Sequence, residues 1–182
     1  EKGFDLQKHL KDHDDVYKNM NFNTRVLHSG QEPDLVYGGV STPINLSTTF
    51  AQRSPNVPYG PFDYSRCGNP TRDSLERLVA SMEGGKHSLI WSSGMAASTA
   101  VLHVLKQGDE VVCIDDVYGG TQRFFRRISS PFHGVVFTFL PFNDPEHVVK
   151  AITEKTKLVW IENPTNPTLK VTDLDLIIKA VK

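Results

Sequence analysis

The sequence predicts an α/β fold, in which a parallel-rich sheet is flanked by helices and preceded by an irregular N-terminal arm. From Pro70 onward, short apolar runs of strand length alternate with segments of helical periodicity. That alternation is typical of a parallel sheet covered on both faces. Residues 1–61 lack this pattern and are expected to lie on another surface, which predicts an arm over 1–61 and the α/β domain over 62–182.

The elements of the arm are expected to be few. Residues 1–21 are polar and predict an extended or frayed segment. Residues 22–28 predict a short helix that ends near Gly30. Residues 38–61 contain four prolines and no apolar period, so they predict irregular backbone.

Four strands are predicted to alternate with helices in the second part. The strands are expected at 87–91, 110–114, 135–140 and 157–162. The helices are expected at 71–82, 94–106, 121–128, 145–152 (capped by Asp144) and 173–181. Ligands of such sheets bind in the loops at the carboxyl ends of the strands, so a site is expected there.

Composition excludes several classes of function. The formal net charge is -1, so no bulk field attracts nucleic acid or a membrane surface. No apolar run approaches the ~18 residues that a membrane span needs, and no secretory signal is present. The two cysteines, Cys67 and Cys113, predict free thiols in the reducing cytoplasm. Because the chain begins with Glu1, a removed upstream segment stays open, and no metal site is predicted.

The first strand-end loop, residues 92–97, consists of small residues that open a helix. Free backbone N–H groups and the helix dipole can hold a phosphate there, and Gly94 allows close approach. Alternatively, Ser92 or Ser93 is a plain helix cap.

The second loop, residues 115–121, places a tyrosine beside two glycines. The ring of Tyr118 can lie flat on a bound aromatic ring. Arg123 follows on what is expected to be the first helical turn, where a cation is unfavourable, so it suggests an anionic partner such as a carboxylate. The alternative is a solvated surface arginine.

The third loop, residues 160–168, contains Pro164 and Pro167. These prolines fix the backbone, so the amide of Asn166 can donate to a phenolic oxygen. The alternative is a turn in which Asn166 bonds only its own backbone.

A fourth segment, residues 64–71, lies outside the predicted sheet. Arg66 can bind a phosphate bidentately and Tyr64 can add a hydroxyl donor, also toward a neighbouring subunit. Alternatively, the segment only begins a helix, with Asn69 as its cap and Pro70 in its first turn. Together the four segments suit a flat, phosphorylated, phenolic heteroaromatic, and pyridoxal 5'-phosphate (PLP) fits that description.

These segments carry a family resemblance from about residue 22 to the last residue. The motifs are YSRCGNPT at 64–71, SGMA at 93–96, DDVYGGT at 115–121 and KLVWIENPTNPT at 157–168. They resemble the cystathionine γ-lyase family of fold-type I PLP enzymes, in the N-terminal part of the large PLP-binding domain. Cys67 departs from the pattern, since a serine is expected there in most relatives.

The resemblance implies a role for each strand-end residue. The backbone N–H groups of Gly94 and Met95 would hold the phosphate of PLP. Tyr118 would stack on the pyridine ring, contact substrate and move protons as a catalytic residue. Asn166 would bond the phenolic oxygen, and Arg123 would lie near the substrate.

It also implies a homo-oligomer, usually a tetramer built as a dimer of dimers. Tyr64 and Arg66 would reach the phosphate of the neighbouring subunit, and Arg66 would also approach substrate. Glu162 would steady Arg66 or Asn166. The implied substrates are small sulfur amino acids, with neither nucleic acid nor membrane as partner.

The implied reaction is γ-elimination of cystathionine to cysteine, 2-oxobutyrate and ammonia, with hydrogen sulfide from cysteine or homocysteine as a further product. Cystathionine γ-synthase, cystathionine β-lyase and methionine γ-lyase activities share the motifs and stay open. The family's Schiff-base lysine, in a Ser-x-Thr-Lys motif, and its ring-nitrogen aspartate are expected beyond residue 182. The chain is therefore expected to be an incomplete and inactive portion of the enzyme. A naturally truncated non-enzymatic product and an unrelated nucleotide-binding α/β domain are the alternatives.

Overall fold

The structure is a computed structural model and describes residues 5–182. Two compact units make up the chain, one that ends at Ile90 and one that spans Trp91–Lys182. The predicted division into an arm over 1–61 and an α/β domain over 62–182 stays a prediction.

The first unit begins with a helix, α1 (Leu6–Tyr17), which starts where the carboxylate of Asp5 accepts a hydrogen bond from the Lys8 N–H at 3.1 Å. The prediction of an extended or frayed segment over 1–21 is therefore wrong for α1. Residues 1–4 of that prediction lie outside the described residues.

Contacts distant in sequence explain why α1 forms. Asp14 on α1 accepts a hydrogen bond from the Gly30 N–H at 2.8 Å and forms an ion pair with Arg77 at 2.9 Å. Gly30 follows helix α2 (Phe22–His28), whose bounds match the prediction. Local polarity favoured disorder, but tertiary hydrogen bonds and charge stabilise the helix.

The segment expected to be irregular contains a small hairpin. Strands β1 (Gln52–Ser54) and β2 (Val57–Pro58) pair antiparallel, and Thr49 forms an isolated bridge with Tyr64. The remainder of 38–61 is irregular, as predicted.

Helix α3 (Pro70–Met82) confirms the predicted helix over 71–82. The side chain of Asn69 accepts from the N–H of Thr71 at 2.9 Å, and Pro70 occupies the first helical position, where its missing N–H costs nothing.

Residues 87–91 form no strand, so the prediction of a fourth strand is wrong. Their polar groups bond to α3 instead: the Ser88 hydroxyl donates to the Glu76 carbonyl at 2.6 Å, and the Ile90 N–H donates to the Glu76 carboxylate at 3.2 Å. The Ile90 N–H, which a sheet ladder would have used, is thereby paired with a side chain of α3.

The second unit is built on three parallel strands, β3 (Glu110–Ile114), β4 (Val136–Leu140) and β5 (Thr156–Trp160). Their order is β4-β3-β5, so β3 is central and β5 is its direct neighbour. The predicted α/β class with a parallel sheet is confirmed, with three strands in place of four. Since β3 and β5 are parallel, the loops that follow them leave the same edge of the sheet.

Helical segments precede, connect and follow these strands. They are α4 (Gly94–Leu102), α5 (Gly119–Phe124), a π-helical turn (Phe125–Ser129), α6 (Ser130–His133), α7 (Pro145–Lys150) and α8 (Leu174–Val181). Helix α4 is shorter than the predicted 94–106 because its last residues close i to i+3 turns. The helix predicted at 121–128 begins earlier and continues through the π-helical turn.

The core of the second unit is apolar and centred on β3. Phe125 is fully buried, stacks on Phe137 at 4.6 Å between ring centroids and meets Trp160 edge-on at 5.2 Å. The buried apolar side chains are Leu102, Val111, Val112, Cys113, Ile114, Val117, Phe125, Val135, Phe142, Val148 and Ile177. This core fixes the strands from which the loops extend.

Candidate cofactor site at the carboxyl ends of the strands

The first turn of α4 combines a helix cap with free donors. The Ser93 hydroxyl accepts from the Ala96 N–H at 3.1 Å, which confirms the capping interpretation of this loop. The N–H groups of Gly94 and Met95 donate to no group among the described residues. A Cβ built on Gly94 would meet no atom within 4 Å, so the backbone here faces open space. The turn can therefore receive an anion while its cap stays in place.

Tyr118 lies in the loop after β3 and precedes α5. Its side chain is 49 % exposed, and its neighbour Val117 is buried in the core. A Cβ on Gly120 would lie 2.5 Å from a ring carbon of Tyr118, so the ring rests against the Gly120 backbone. A side chain at position 120 would therefore displace the ring from this position. Helix α5 contacts α4, so the helices that follow the first two loops are neighbours.

Asn166 lies in the exposed loop after β5. Its side chain makes no hydrogen bond with any described group, so the alternative of an amide that bonds its own backbone is not what the structure has. The Asn163–Pro164 and Asn166–Pro167 peptide bonds are cis. Thr165, directly before Asn166, is 1 % exposed and anchors the loop.

Hydrogen bonds join the loops after β3 and β5 in both directions. The Tyr118 N–H donates to the Glu162 carboxylate at 2.7 Å. In return, Asp116 accepts from the hydroxyl of Thr165 at 2.5 Å and from the hydroxyl of Thr168. Within the described residues the backbone of Tyr118 is thus a partner of Glu162, and the expectation that Glu162 steadies Arg66 or Asn166 stays a prediction.

Sequence reasoning missed Asp116, Thr165 and Thr168 as residues that shape this site. Hydrogen bonds from the two hydroxyls hold the pKa of the Asp116 carboxyl below its usual value, with the charge of Lys170 adding to the effect. The sequence feature that could have indicated these residues is that both loops carry polar side chains directly after a strand.

Arg123 does not lie in the first helical turn. Helix α5 begins at Gly119, so Arg123 occupies its last turn, and the argument from an unfavourable helix dipole is wrong. Its side chain is exposed and has no ion-pair partner among the described residues. Its role toward substrate stays a prediction.

In the first unit, Tyr64 and Arg66 form a paired surface feature. The guanidinium of Arg66 lies over the ring of Tyr64, 4.9 Å from its centroid, and Arg66 is exposed. The side chain of Arg72 donates to the carbonyls of Ser65 at 3.0 Å and Arg66 at 3.4 Å. The backbone of this segment is therefore held from α3 while the Arg66 charge stays available.

The interpretation of this segment as the start of a helix is also confirmed, since Asn69 caps α3 and bonds the Ser65 hydroxyl at 3.1 Å. Both cysteines are free: Cys67 is exposed and Cys113 is buried. Burial raises the pKa of the Cys113 thiol to about 12, and the charge of Glu162 adds to the effect, so this thiol stays protonated.

Comparison with known proteins decides the family. The sequence model of one protein family, the Cys/Met metabolism PLP-dependent enzymes, matches residues 23–182. The chain belongs to this family. Its members depend on PLP, and the prediction drawn from the four motifs is confirmed.

Named relatives cover nearly all of the chain. It is 51 % identical over 154 residues to the cystathionine gamma-lyase of Mus musculus, which is 84 % of this chain and 38 % of that protein. It is 46 % identical over 165 residues to the cystathionine beta-lyase of Coxiella burnetii, or 91 % of this chain and 42 % of that protein. The chain thus spans about two fifths of these relatives.

A solved structure supports the fold. The crystal structure of metB from Corynebacterium glutamicum superposes with a TM-score of 0.85 at 43 % identity, over 89 % of this chain and 42 % of that one. Within the described part of the chain, no helix has the length and apolarity to cross a membrane.

The residues of the second unit fit the cofactor of the family. PLP carries a phosphate, an aromatic ring and a phenolic oxygen. The chain offers unpaired N–H groups at Gly94 and Met95, the half-exposed ring of Tyr118 and the unpaired amide of Asn166. The described residues of this unit therefore provide a group for the phosphate, one for the aromatic ring and one for the phenolic oxygen of PLP.

Proposed function

We propose that this protein takes part in sulfur amino acid metabolism as a PLP-dependent carbon–sulfur lyase, and that its reaction is γ-elimination of cystathionine. The observation that carries the proposal is the linked pair of loops after β3 and β5, which present Tyr118 and Asn166 from one edge of the sheet. The reaction converts cystathionine and water to cysteine, 2-oxobutyrate and ammonia.

The first turn of α4 would bind the phosphate of PLP. The N–H groups of Gly94 and Met95 give the N-terminus of α4 a partial positive charge. The Ser93 cap fixes this turn before a phosphate binds. The amide of Asn166 would donate to the phenolic oxygen. When bound, PLP supplies an electron sink for the carbon next to the amino group of the substrate.

Tyr118 would cover one face of the aromatic ring and exclude water from it. Its hydroxyl can accept or return a proton near the bound amino acid, which is the catalytic role proposed for it. Arg123, exposed and without an ion-pair partner among the described residues, would attract the carboxylate of the substrate.

Tyr64 and Arg66 would complete the site of a neighbouring subunit in a dimer of dimers. Support comes from the exposed guanidinium of Arg66, its stacking on Tyr64 and the hold of Arg72 on the backbone. Exposed apolar side chains lie nearby in sequence, which suits a covered surface. They are Leu35, Val36, Tyr37, Val40, Ile44 and Leu46. The free thiols support a cytoplasmic location.

The full-length gene product gives the direct test. Purified protein with PLP should absorb in the visible range and release 2-oxobutyrate and cysteine from cystathionine. Pyruvate and homocysteine in their place would indicate β-elimination, the activity in the name of the Coxiella burnetii relative. Protein that neither binds PLP nor cleaves cystathionine would overturn the proposal.

Mixing subunits tests the shared site. Arg66→Ala and Tyr118→Ala proteins should each be nearly inactive. When they are unfolded and refolded together, roughly a quarter of the wild-type sites should return, because each two-fold pair can then contain one intact site. No recovery, with hybrids verified by mass, would place Arg66 and Tyr118 in the site of the same subunit.

A further inference from the structure

Each of the two loops that leave β3 and β5 supplies a carboxylate to the other loop. Glu162, two residues after β5, accepts from the Tyr118 N–H at 2.7 Å. Asp116, two residues after β3, accepts from the hydroxyls of Thr165 and Thr168. We name this reciprocal arrangement of Asp116, Glu162, Thr165, Thr168 and the Tyr118 N–H the loop clasp.

One side of the clasp is tied to the apolar core. The indole N–H of Trp160 approaches Glu162 at 3.5 Å, and the Trp160 ring meets the fully buried Phe125 edge-on. Trp160 therefore links the Glu162 carboxylate, which accepts from Tyr118, to the apolar core. The position of the Tyr118 backbone therefore depends on β5 as well as on its own loop.

The other side closes the loop that carries Asn166. The Thr165 hydroxyl donates to Asp116 and accepts from the Lys170 N–H at 2.9 Å, while the Thr165 N–H donates to the Lys170 carbonyl at 3.0 Å. These bonds make a closed turn around Asn166 and attach it to the loop after β3. Lys170 also lies 3.7 Å from Asp115, which adds a charge contact between the same loops.

We propose that Asp116 and Glu162 are positioning residues that lock the two loops to each other, so that Tyr118 and Asn166 keep their places before the cofactor arrives. The roles of Tyr118 and Asn166 rest on the proposed function. The clasp itself rests only on contacts within the chain. Preorganisation of this kind lowers the ordering cost of binding, since the loops are already fixed.

The opposite edge of the same sheet supplies a matched control. There the Thr153 hydroxyl donates to the Glu110 carboxylate at 2.6 Å, which joins the start of β3 to the turn before β5. As in the loop clasp, a threonine hydroxyl donates to a carboxylate between the β3 and β5 regions. This bond lies at the amino ends of the strands, whereas Tyr118 and Asn166 lie in the loops at the carboxyl ends. Glu110→Ala should therefore leave those loops unchanged.

The first measurement is amide hydrogen exchange at Tyr118 in cofactor-free full-length protein. Glu162→Ala removes the acceptor of that N–H and should speed its exchange at least tenfold. Glu162→Gln keeps a carbonyl acceptor of the same shape and should stay within threefold of wild type, which also guards against a general loss of fold. Glu110→Ala should match wild type.

The second measurement is the dissociation constant for PLP. Asp116→Ala and Glu162→Ala should each weaken binding about fivefold or more, and Asp116→Asn should restore most of the affinity because its amide oxygen accepts both hydroxyls. The double variant should lose less than the product of the single effects, because breaking one side already frees the loops.

The outcomes separate the clasp from the proposed function. Unchanged exchange at Tyr118 in Glu162→Ala, equal acceleration in Glu110→Ala, or strictly multiplicative effects on PLP affinity would each overturn the clasp. Wild-type protein that binds no PLP would overturn the proposed function, while the exchange measurement would still decide the clasp.

Discussion

The two compact units bury different kinds of side chains. Between Trp91 and Lys182 the buried core consists mainly of apolar residues packed on β3. In the described residues up to Ile90, the buried positions are polar or glycine: Ser29, Gly30, Asn69 and Ser74. A charge network takes the place of an apolar core there.

Arg77 is the centre of that network. Its guanidinium pairs with Asp14 and Asp73 at 2.9 Å and with Glu32 at 2.8 Å. Burial disfavours the charged form, but the hydrogen bonds and charges of Glu32 and Asp14 outweigh it and raise the pKa of Arg77. Directional polar bonds therefore hold the first unit together, while many of its apolar side chains are exposed.

The largest effect should come from the apolar core. Phe125→Ala removes a fully buried ring and should lower the free energy of unfolding by about 3–5 kcal/mol. Denaturant unfolding followed by tryptophan fluorescence measures the change. Phe132→Ala is the matched control, because Phe132 is 76 % exposed and its loss should cost less than about 0.5 kcal/mol. Equal effects of the two variants would contradict the proposed asymmetry.

A smaller effect is expected from the charge network. Arg77→Met leaves Asp14, Glu32 and Asp73 without their shared cation and should cost about 2 kcal/mol, less than for a fully buried pair because the side chain is 19 % exposed. Thermal unfolding measures it, with the exposed Arg53→Met as control. If both variants unfold like wild type, the first unit does not depend on Arg77.

Acidification should weaken the loop clasp of the second unit, with a smaller effect on stability than the two substitutions above. Because the pKa of Asp116 is lowered in the folded chain, its contribution to stability is present above about pH 4 and is lost as the pH falls through the folded pKa. The stability difference between wild type and Asp116→Asn, measured by denaturant unfolding, should therefore shrink on acidification below about pH 4. A stability difference between the two proteins that grows toward low pH would contradict the prediction.

The smallest effect on stability is expected at the glycines beside Tyr118. Gly120→Ala places a methyl group against the Tyr118 ring, whereas Gly119→Ala meets nothing within 4 Å. Both changes should alter unfolding free energy by less than about 1 kcal/mol, since both lie at a helix start. Only Gly120→Ala should weaken PLP binding several-fold, as measured by absorbance titration. Equal affinities would show that the ring position does not matter.

Local patterns located most helices and strands of the chain. The strand at 110–114 and the helix at 22–28 were predicted to the residue, because apolar periodicity and turn residues bound them on both sides. The strand expected at 87–91 failed because a short run that ends in Leu89, Ile90 and Trp91 does not reveal what its backbone will bond to. Glu76 supplies that partner from an earlier helix.

Some residues of the candidate site were likewise indicated by local sequence, and others depend on contacts between distant segments. Gly94, Tyr118 and Asn166 were selected as candidates because each lies in a loop that follows a predicted strand, and their roles stay predictions. Asp116 and Thr165 were not selected, because their bond joins residues 49 positions apart and depends on β5 lying beside β3.

The sequence by itself determined the alternation of strands and helices, the family motifs and the types of side chain at the strand ends. Tertiary structure alone decided that α1 would fold, that β3 would be central and that Glu162 would meet Tyr118. Periodicity and turn chemistry act over a few neighbouring residues. Strand order and long-range hydrogen bonds form only when distant segments meet, and their partners carry no local signal.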